Sequence, residues 1–224
     1  MAKKSPSNSS ENSASQRIVK AVLIAIVVAP FVVFPPVRFP SKNAPGVLAQ
    51  PEAFSARKFA AKLWTEKLIP SAKTAIDART LYIALEANPA DAARKHARSV
   101  GIGGTSYYFV AGEGIVTAID GDGITLALAD GVKNTLVIDT GLVFGNAVRD
   151  GTGLLDVNTF ANSEEFNAIA SELNAIVEKD VIPTAQKLGT VGAKLSFTGI
   201  AELTGTHGDP RPLHLIPLKV EAKP

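Results

Sequence analysis

The most regular hydrophobic pattern of the chain lies between residues 162 and 189 and predicts one long amphipathic helix. Asn162, with Glu165 three residues later, matches the pattern of a helix-capping box. Pro183 predicts that the helix kinks or restarts there, and Gly189 is a suitable residue for its end. Such a helix has to lie on another apolar surface. The apolar residues that the spacing places on one face are Phe166, Ile169, Ala170, Leu173, Ile176 and Val177.

A second pattern, rich in β-branched residues and glycine, predicts strands from residue 105 onward. We read Gly112-Glu113-Gly114 as a tight turn between two of them, and tight turns favour antiparallel neighbours. The pattern therefore predicts a curled antiparallel sheet, as a meander or a small barrel. The expected strands are 105–111, 114–119, 124–129, 134–140, 142–146, 193–204 and 213–220.

Residues 59 to 98 read as local helices. An apolar stripe from Phe59 to Leu68 ends before Pro70, a second helix spans 72–87, and Pro89 opens a third. We expect these helices to pack as a helical hairpin. The order of helices, strands, one long helix and further strands predicts an α+β fold.

The first 52 residues have a different composition. Residues 1–20 are polar and basic and predict a disordered cytoplasmic tail. Residues 21–37 contain no charge and would span roughly 25 Å as a helix, enough for a transmembrane signal anchor. Because basic residues cluster before this segment, the remainder should be exported. We therefore expect a linker over 38–52 and one extracytoplasmic domain over 53–224, while cleavage after Ala49 stays open.

Charge narrows the possible partners. The whole chain carries a net charge of +2, but residues 43–224 hold 17 Lys and Arg against 20 Asp and Glu, a net charge of −3. The basic excess therefore belongs to the targeting region, which argues against a nucleic-acid partner. The sequence contains no cysteine, so it offers no thiol for a lipid anchor or a disulfide.

Candidate catalytic and metal-binding patterns are weak. His96, His207 and His214 lack the close spacing of zinc ligands. The stretch from Asp120 to Gly123 resembles the start of a calcium loop, but Gly131 stands where the closing carboxylate belongs, so a hairpin turn is expected. No nucleophile elbow is present. We predict no enzymatic activity, no metal site and no cofactor.

The candidate ligand site centres on Arg149 and Asp150. The Arg149 guanidinium can bind an anionic or hydroxyl-rich ligand through two parallel hydrogen bonds. Alternatively, the pair holds the local backbone by bonding to its neighbours. Asn146, Asn162 and Tyr107 complete the candidate ligand set, and capping of the long helix is the alternative role of Asn162.

Several features follow one another along the chain in a recognisable order. They are Trp64, Gly112-Glu113-Gly114, Gly145 to Asp150, Phe160-Ala161-Asn162, Leu173-Asn174 and Gly199. Together they resemble a family of predicted periplasmic proteins of unknown function. The resemblance implies an α+β fold with an OB-like barrel, and the family's members are typically lipoproteins, often encoded beside sugar-type ABC transporters. This chain departs from the family pattern at Asn146, at Ser163 and in lacking the lipid-bearing cysteine.

The pattern and the resemblance together predict a single-pass inner-membrane protein whose C-terminal domain lies in the periplasm. We expect a binding or accessory protein whose partners are the membrane and either ABC transporter components or a small polar solute. The alternative is a structural or assembly protein of the envelope that docks other proteins and binds no small molecule.

Overall fold

The computed structural model of the chain describes residues 54–99, 105–121, 123–128, 135–204 and 211–224. These ranges fall within one compact unit, Phe54–Pro224. The predicted tail, anchor and linker lie outside them, as does His207. Within the described ranges, no helix combines the length and the apolar character that crossing a bilayer requires.

Short polar side chains start each of the first three helices. Ser55, Asp77 and Asn88 each accept a hydrogen bond from a backbone N–H two or three residues further on. The Asp77 carboxylate accepts two, at 3.1 Å each. The helices are α1 (Ala56–Leu63), α2 (Ala78–Ala87) and α3 (Pro89–His96), and α1 continues into a π-helical turn (Trp64–Leu68) and a 3-10 turn (Pro70–Thr74).

The second group of helices contains the predicted long one. The Asn162 side chain accepts from the Glu165 N–H at 2.8 Å, as the capping pattern predicts. Phe166, Leu173 and Val177 are buried, which confirms the apolar face. The elements are α4 (Ala147–Asp150), a 3-10 turn (Val157–Thr159), α5 (Ser163–Ile176), a π-helical turn (Val177–Val181) and α6 (Ile182–Leu188), which ends before Gly189.

The predicted helical hairpin needs a correction. Helices α2 and α3 pack against each other, but α1 packs against α5 instead. Leu63 of α1 and Leu173 of α5 belong to the same buried apolar cluster. Helix α5 offers a continuous apolar face that α1 covers, and no local pattern in residues 56–68 identifies that partner.

The strands form one curled sheet. In chain order they are β1 (Ile76–Asp77), β2 (Ala97–Ser99), β3 (Thr105–Ile119), β4 (Gly123–Leu128), β5 (Thr135–Asp139), β6 (Lys194–Thr204) and β7 (Leu213–Ala222). One edge of β3, the longest strand, pairs with β6 from Thr105 to Ile115, and the opposite edge meets β2, β1 and β4 in turn. The pairing continues from β4 to β5, β7 and β6, and so returns to β3.

The α+β class is confirmed, but the sheet is mixed and not purely antiparallel. Strands β5 and β7 pair in parallel, and so do β1 and β3. A tight turn dictates antiparallel pairing only between successive strands. Because helices α4 to α6 and strand β6 separate β5 from β7, no turn sets their relative direction.

The predicted turn at Gly112 to Gly114 is wrong, because β3 runs through it without interruption. These glycines allow close packing instead. A Cβ atom at Gly114 would lie 2.8 Å from the carbonyl oxygen of Ala127, and one at Gly112 would lie 2.9 Å from the Phe197 ring. The predicted strand over 142–146 is also absent, and α4 begins immediately after it.

The core has two parts, one on each face of the sheet. Inside the curl, Leu81 and Tyr82 of α2 pack on the strands. The Tyr82 hydroxyl donates to the Thr135 carbonyl at 2.6 Å and accepts from the Leu213 N–H at 2.9 Å, so it joins β5 to β7. On the outer face, α1 and α5 cover Phe109 and other strand residues. This outer layer also contains α4 and positions the candidate site.

Candidate functional site

Arg149 and Asp150 lie on the four-residue helix α4 and form a buried bidentate pair. The Arg149 Nε lies 2.7 Å from Asp150 Oδ1, and Nη2 lies 2.9 Å from Oδ2. The two residues are 5% and 8% exposed. A charged pair buried this far from water stabilises the fold only when the remaining hydrogen-bonding groups of both side chains are also satisfied.

The rest of the Arg149 guanidinium is held by α5. Its Nη1 donates to the Phe166 carbonyl at 3.2 Å and to the Asn167 side chain at 3.0 Å. Its central carbon lies 3.7 Å from the centre of the Phe166 ring, which is cation–π geometry. Arg149 therefore ties α4 to α5, and four of its five N–H groups are used inside the protein.

The other predicted site residues are spread around this pair. Asn146 precedes α4, is exposed and makes no capping bond, whereas Asn162 is exposed and caps α5. Tyr107 lies on β3, half-buried. Burial raises the pKa of the Tyr107 phenol, and the negative charges of Glu202 and Asp150 raise it further, while Arg149 opposes them. Tyr107 therefore stays protonated at neutral pH and can donate a hydrogen bond.

Asn174 of α5 supports the segment that precedes α4. Its Nδ2 donates to the Gly145 carbonyl at 3.0 Å. Its Oδ1 is buried, and no described residue donates to it. Together with the Arg149 contacts, this bond holds both ends of residues 145–150 against α5.

The turn that follows α4, residues 151–153, borders a cavity of about 400 Å³, which Gly151 and Thr152 line. The Gly153 N–H donates to the Asp150 carbonyl at 3.0 Å, so the turn is anchored by the residue that pairs with Arg149. Neither Arg149 nor Tyr107 lines this cavity. Its walls are Thr74, Ile76, Arg94, Lys95, His96, Ala97, Arg98, Phe109, Gly151 and Thr152.

Arg98, on β2, lies directly against the turn. A Cβ atom at Gly153 would fall 2.7 Å from the Arg98 Nε, and Gly153 has a φ of +65° that favours glycine. Glycine at this position therefore makes room for the Arg98 side chain. Among the described residues, no carboxylate or carbonyl pairs with the Arg98 guanidinium, which is exposed.

Sequence reasoning missed this basic cavity. Arg94, Lys95 and His96 form the last turn of α3, where cations ordinarily stabilise the helix end. Asp91 pairs with Arg94 at 2.9 Å and with Lys95 at 2.8 Å, and these two cations hold the pKa of the Asp91 carboxyl below its usual value. Only the cluster of basic residues over 94–98 could have indicated the site from the sequence.

Two other cavities differ in character. The larger, about 620 Å³, lies beside β1 and β6, and its charged side chains are paired: Arg79 with Asp77, and Lys194 with Glu113. The smaller, about 360 Å³, lies beside the exposed side chains of Leu142 and Phe144. It also contains the contact between His214 Nδ1 and Asp139 Oδ1 at 2.7 Å, which joins β7 to β5. Among the described residues, the basic cavity is therefore the one that presents an uncompensated cation.

The arrangement compares with known proteins as follows. A family described as predicted periplasmic lipoprotein (DUF2291) matches residues 27–221. The crystal structure of an OB-fold protein from Thermotoga maritima MSB8 superposes on this chain with a TM-score of 0.67. The two sequences are 29% identical, and the match covers 77% of this chain and 100% of the OB-fold chain. The mixed sheet thus resembles that of an OB-fold protein. No curated protein matches the chain.

Proposed function

The chain belongs to this family of predicted periplasmic lipoproteins of unknown function, and on that premise we propose that it is a membrane-anchored, extracytoplasmic binding or accessory protein for a small polar solute. In this proposal the protein serves a sugar-type ABC transporter. The observation that carries the proposal is the cavity bounded by Arg98 and the 151–153 turn. Its volume of about 400 Å³ falls within the range of small-molecule sites.

The anchor in this proposal is the uncharged segment 21–37. The family's name implies a lipid attached to a cysteine, but these 224 residues contain none. An apolar helix can take over the tethering role of the lipid. We propose that the segment crosses the inner membrane once and leaves the folded domain in the periplasm. Catalysis forms no part of the proposal.

The role of the Arg149 pair in this proposal is to position the ligand site. The bidentate pair and its bonds to α5 fix α4, and α4 fixes the turn that lines the cavity. Of the predicted ligand residues, Asn146 is exposed and Tyr107 is half-buried, and neither lines the cavity. Asn162 acts as the cap of α5.

A thermal-shift screen of the purified full-length chain tests the proposal. The panel contains neutral sugars, sugar acids and sugar phosphates. A ligand that binds the folded state raises the melting temperature in proportion to the logarithm of its concentration once binding is saturated. The proposal predicts at least one such compound. A panel in which no compound moves the melting temperature, at concentrations up to about 10 mM, contradicts it.

A second candidate function, docking of another envelope protein, is favoured by one observation. Leu142 and Phe144 are 74% and 75% exposed, although the segment that carries them is held in place. Val143 between them is buried, and its N–H donates to Glu178 at 2.8 Å. Exposed apolar side chains on a fixed segment suit protein contact. Photo-cross-linking from residue 144 tests this candidate: a transporter subunit as the product supports the accessory role, and no product contradicts docking.

A further inference from the structure

We infer that the solute held in the basic cavity carries a carboxylate or phosphate group, and that Arg98 is the residue that binds this group. The inference rests on the proposed solute-binding function and specifies its ligand class. The juxtaposition that supports it is the Arg98 guanidinium, for which the described part of the chain offers no partner, lying against the glycine turn 151–153 at the wall of an open cavity.

The charge balance of the cavity favours an anion. Arg94, Lys95 and Arg98 line it, and none of the described residues that line it is acidic. The Asp91 carboxylate pairs with Arg94 and Lys95 and cancels one of the three positive charges. The site therefore keeps a net charge of about +2 before His96 is counted, in a domain whose overall balance is negative.

The ordinary structural role of basic residues explains only part of this cluster. Cations in the last turn of a helix stabilise its C-terminal end, which accounts for Arg94 and Lys95. Arg98 lies two residues beyond the end of α3, within β2, where that role does not apply. Its side chain is instead laid over Gly153, whose missing Cβ makes the position possible.

The geometry of Arg98 suits a carboxylate or a phosphate. A guanidinium presents parallel N–H groups that match two oxygens of either anion, and such charge-assisted bonds are stronger than neutral ones. Across the sheet, Arg98 pairs with Tyr107 of β3, and Tyr107 pairs with Glu202 of β6. Tyr107 separates the guanidinium from the Glu202 carboxylate by one strand, so about 10 Å divides the two backbones.

The remaining walls describe the rest of the ligand. Ile76, Ala97 and Phe109 provide an apolar side, and Thr152 provides a hydroxyl. At about 400 Å³ the space accommodates a metabolite of sugar size and not a polymer. A small organic acid or a phosphorylated small molecule meets these conditions.

Isothermal titration of the full-length chain with three related probes tests the inference. Glucose, gluconate and glucose 6-phosphate share a carbon skeleton and differ in charge. We expect the two anions to bind at least tenfold more tightly than glucose. Arg98→Gln should weaken anion binding roughly tenfold or more, and Arg98→Lys, which keeps the charge but not the fork, should fall between. The matched control Arg57→Gln removes an exposed arginine outside the cavity and should change nothing.

The outcomes separate this inference from the function on which it rests. Tighter binding of either anion, lost in Arg98→Gln, supports the inference and shows which head group is preferred. Equal binding of glucose and the anions, unchanged in Arg98→Gln, overturns the anion assignment but leaves solute binding intact. If no probe binds and no compound of the thermal-shift panel raises the melting temperature, both the anion assignment and the solute-binding function are overturned. Circular dichroism verifies that each variant is folded, as the exposure of Arg98 predicts.

Discussion

The side chains of Arg149 and Asp150, neighbours in the sequence, meet in a bidentate pair with Nε–Oδ1 and Nη2–Oδ2 distances of 2.7 and 2.9 Å. Adjacent residues of a helix do not normally face each other. Here the short helix α4 ends immediately afterwards, and the Asp150 carbonyl accepts from the Gly153 N–H. The pair therefore connects the buried layer under α5 to the turn beside Arg98.

Removal of Arg149 should destabilise the domain. Arg149→Ala leaves the Asp150 carboxylate buried without its partner, a change that costs about 3–5 kcal/mol in comparable buried pairs. Urea unfolding measures the free energy of unfolding. Arg57→Ala is the control, because Arg57 is exposed and lies 3.9 Å from Glu172, a distance typical of weak surface pairs. A loss below about 1 kcal/mol for Arg149→Ala would show that the pair is not a structural link.

Gly153 and Gly145 form a matched pair for testing the turn. Both have positive φ values, +65° and +77°, so alanine at either position costs about 1–2 kcal/mol of backbone strain. A Cβ at Gly145 meets nothing within 4 Å, whereas one at Gly153 displaces Arg98. We therefore expect the two alanine variants to lose a similar free energy of unfolding. Only Gly153→Ala should bind the ligand more weakly, as measured by calorimetry. Equal affinities in the two variants would remove Arg98 from the site.

Asn162 should behave as a helix cap. Asn162→Ala removes the acceptor of the Glu165 N–H and should lower the free energy of unfolding by about 1 kcal/mol. Asn162→Asp keeps a capping oxygen and should preserve stability. Neither variant should alter solute affinity. A change in affinity without a change in the urea midpoint would return Asn162 to the ligand set.

The ionisation of Tyr107 should depend on Glu202. Burial raises the pKa of the Tyr107 phenol above its ordinary value of about 10, and the charges of Glu202 and Asp150 add to the shift. A raised pKa in the folded state stabilises the protonated form, so this contribution is complete below about pH 10 and is lost as the pH rises through the folded pKa. Glu202→Gln should lower the Tyr107 pKa.

Ultraviolet titration of tyrosinate measures this effect, with Tyr107→Phe identifying which transition belongs to Tyr107. Glu221→Gln is the control, because Glu221 lies near the end of β7 and pairs with Lys219. An unchanged Tyr107 transition in Glu202→Gln would contradict the electrostatic contact across β3 and β6.

Local patterns predicted helix α5 well, because everything that specifies it lies within it. Asn162 caps the first turn, and Phe166 and Leu173 share the buried face. The glycines of β3 were misread because a turn and a close approach both require glycine. Only the Ala127 carbonyl and the Phe197 ring, each on another strand, decide between them.

The site predicted from the sequence centres on Arg149 and Asp150, and neither residue lines the cavity. Arg149 instead bonds to Phe166 and Asn167, which lie on another helix, and no spacing rule connects them to it. The pattern placed Arg98 at the end of the third local helix. Its contact with Gly153 depends on the pairing of β2 with β3 and on the path of the chain after α4.

The most direct test of solute binding beside the Arg149 segment is a map of backbone amide chemical shifts during titration with glucose 6-phosphate. The account predicts that the largest changes cluster at Ala97, Arg98, Gly151 and Thr152, with smaller changes at Tyr107. Changes centred on Leu142 and Phe144, or spread over the surface with no saturation, would contradict it.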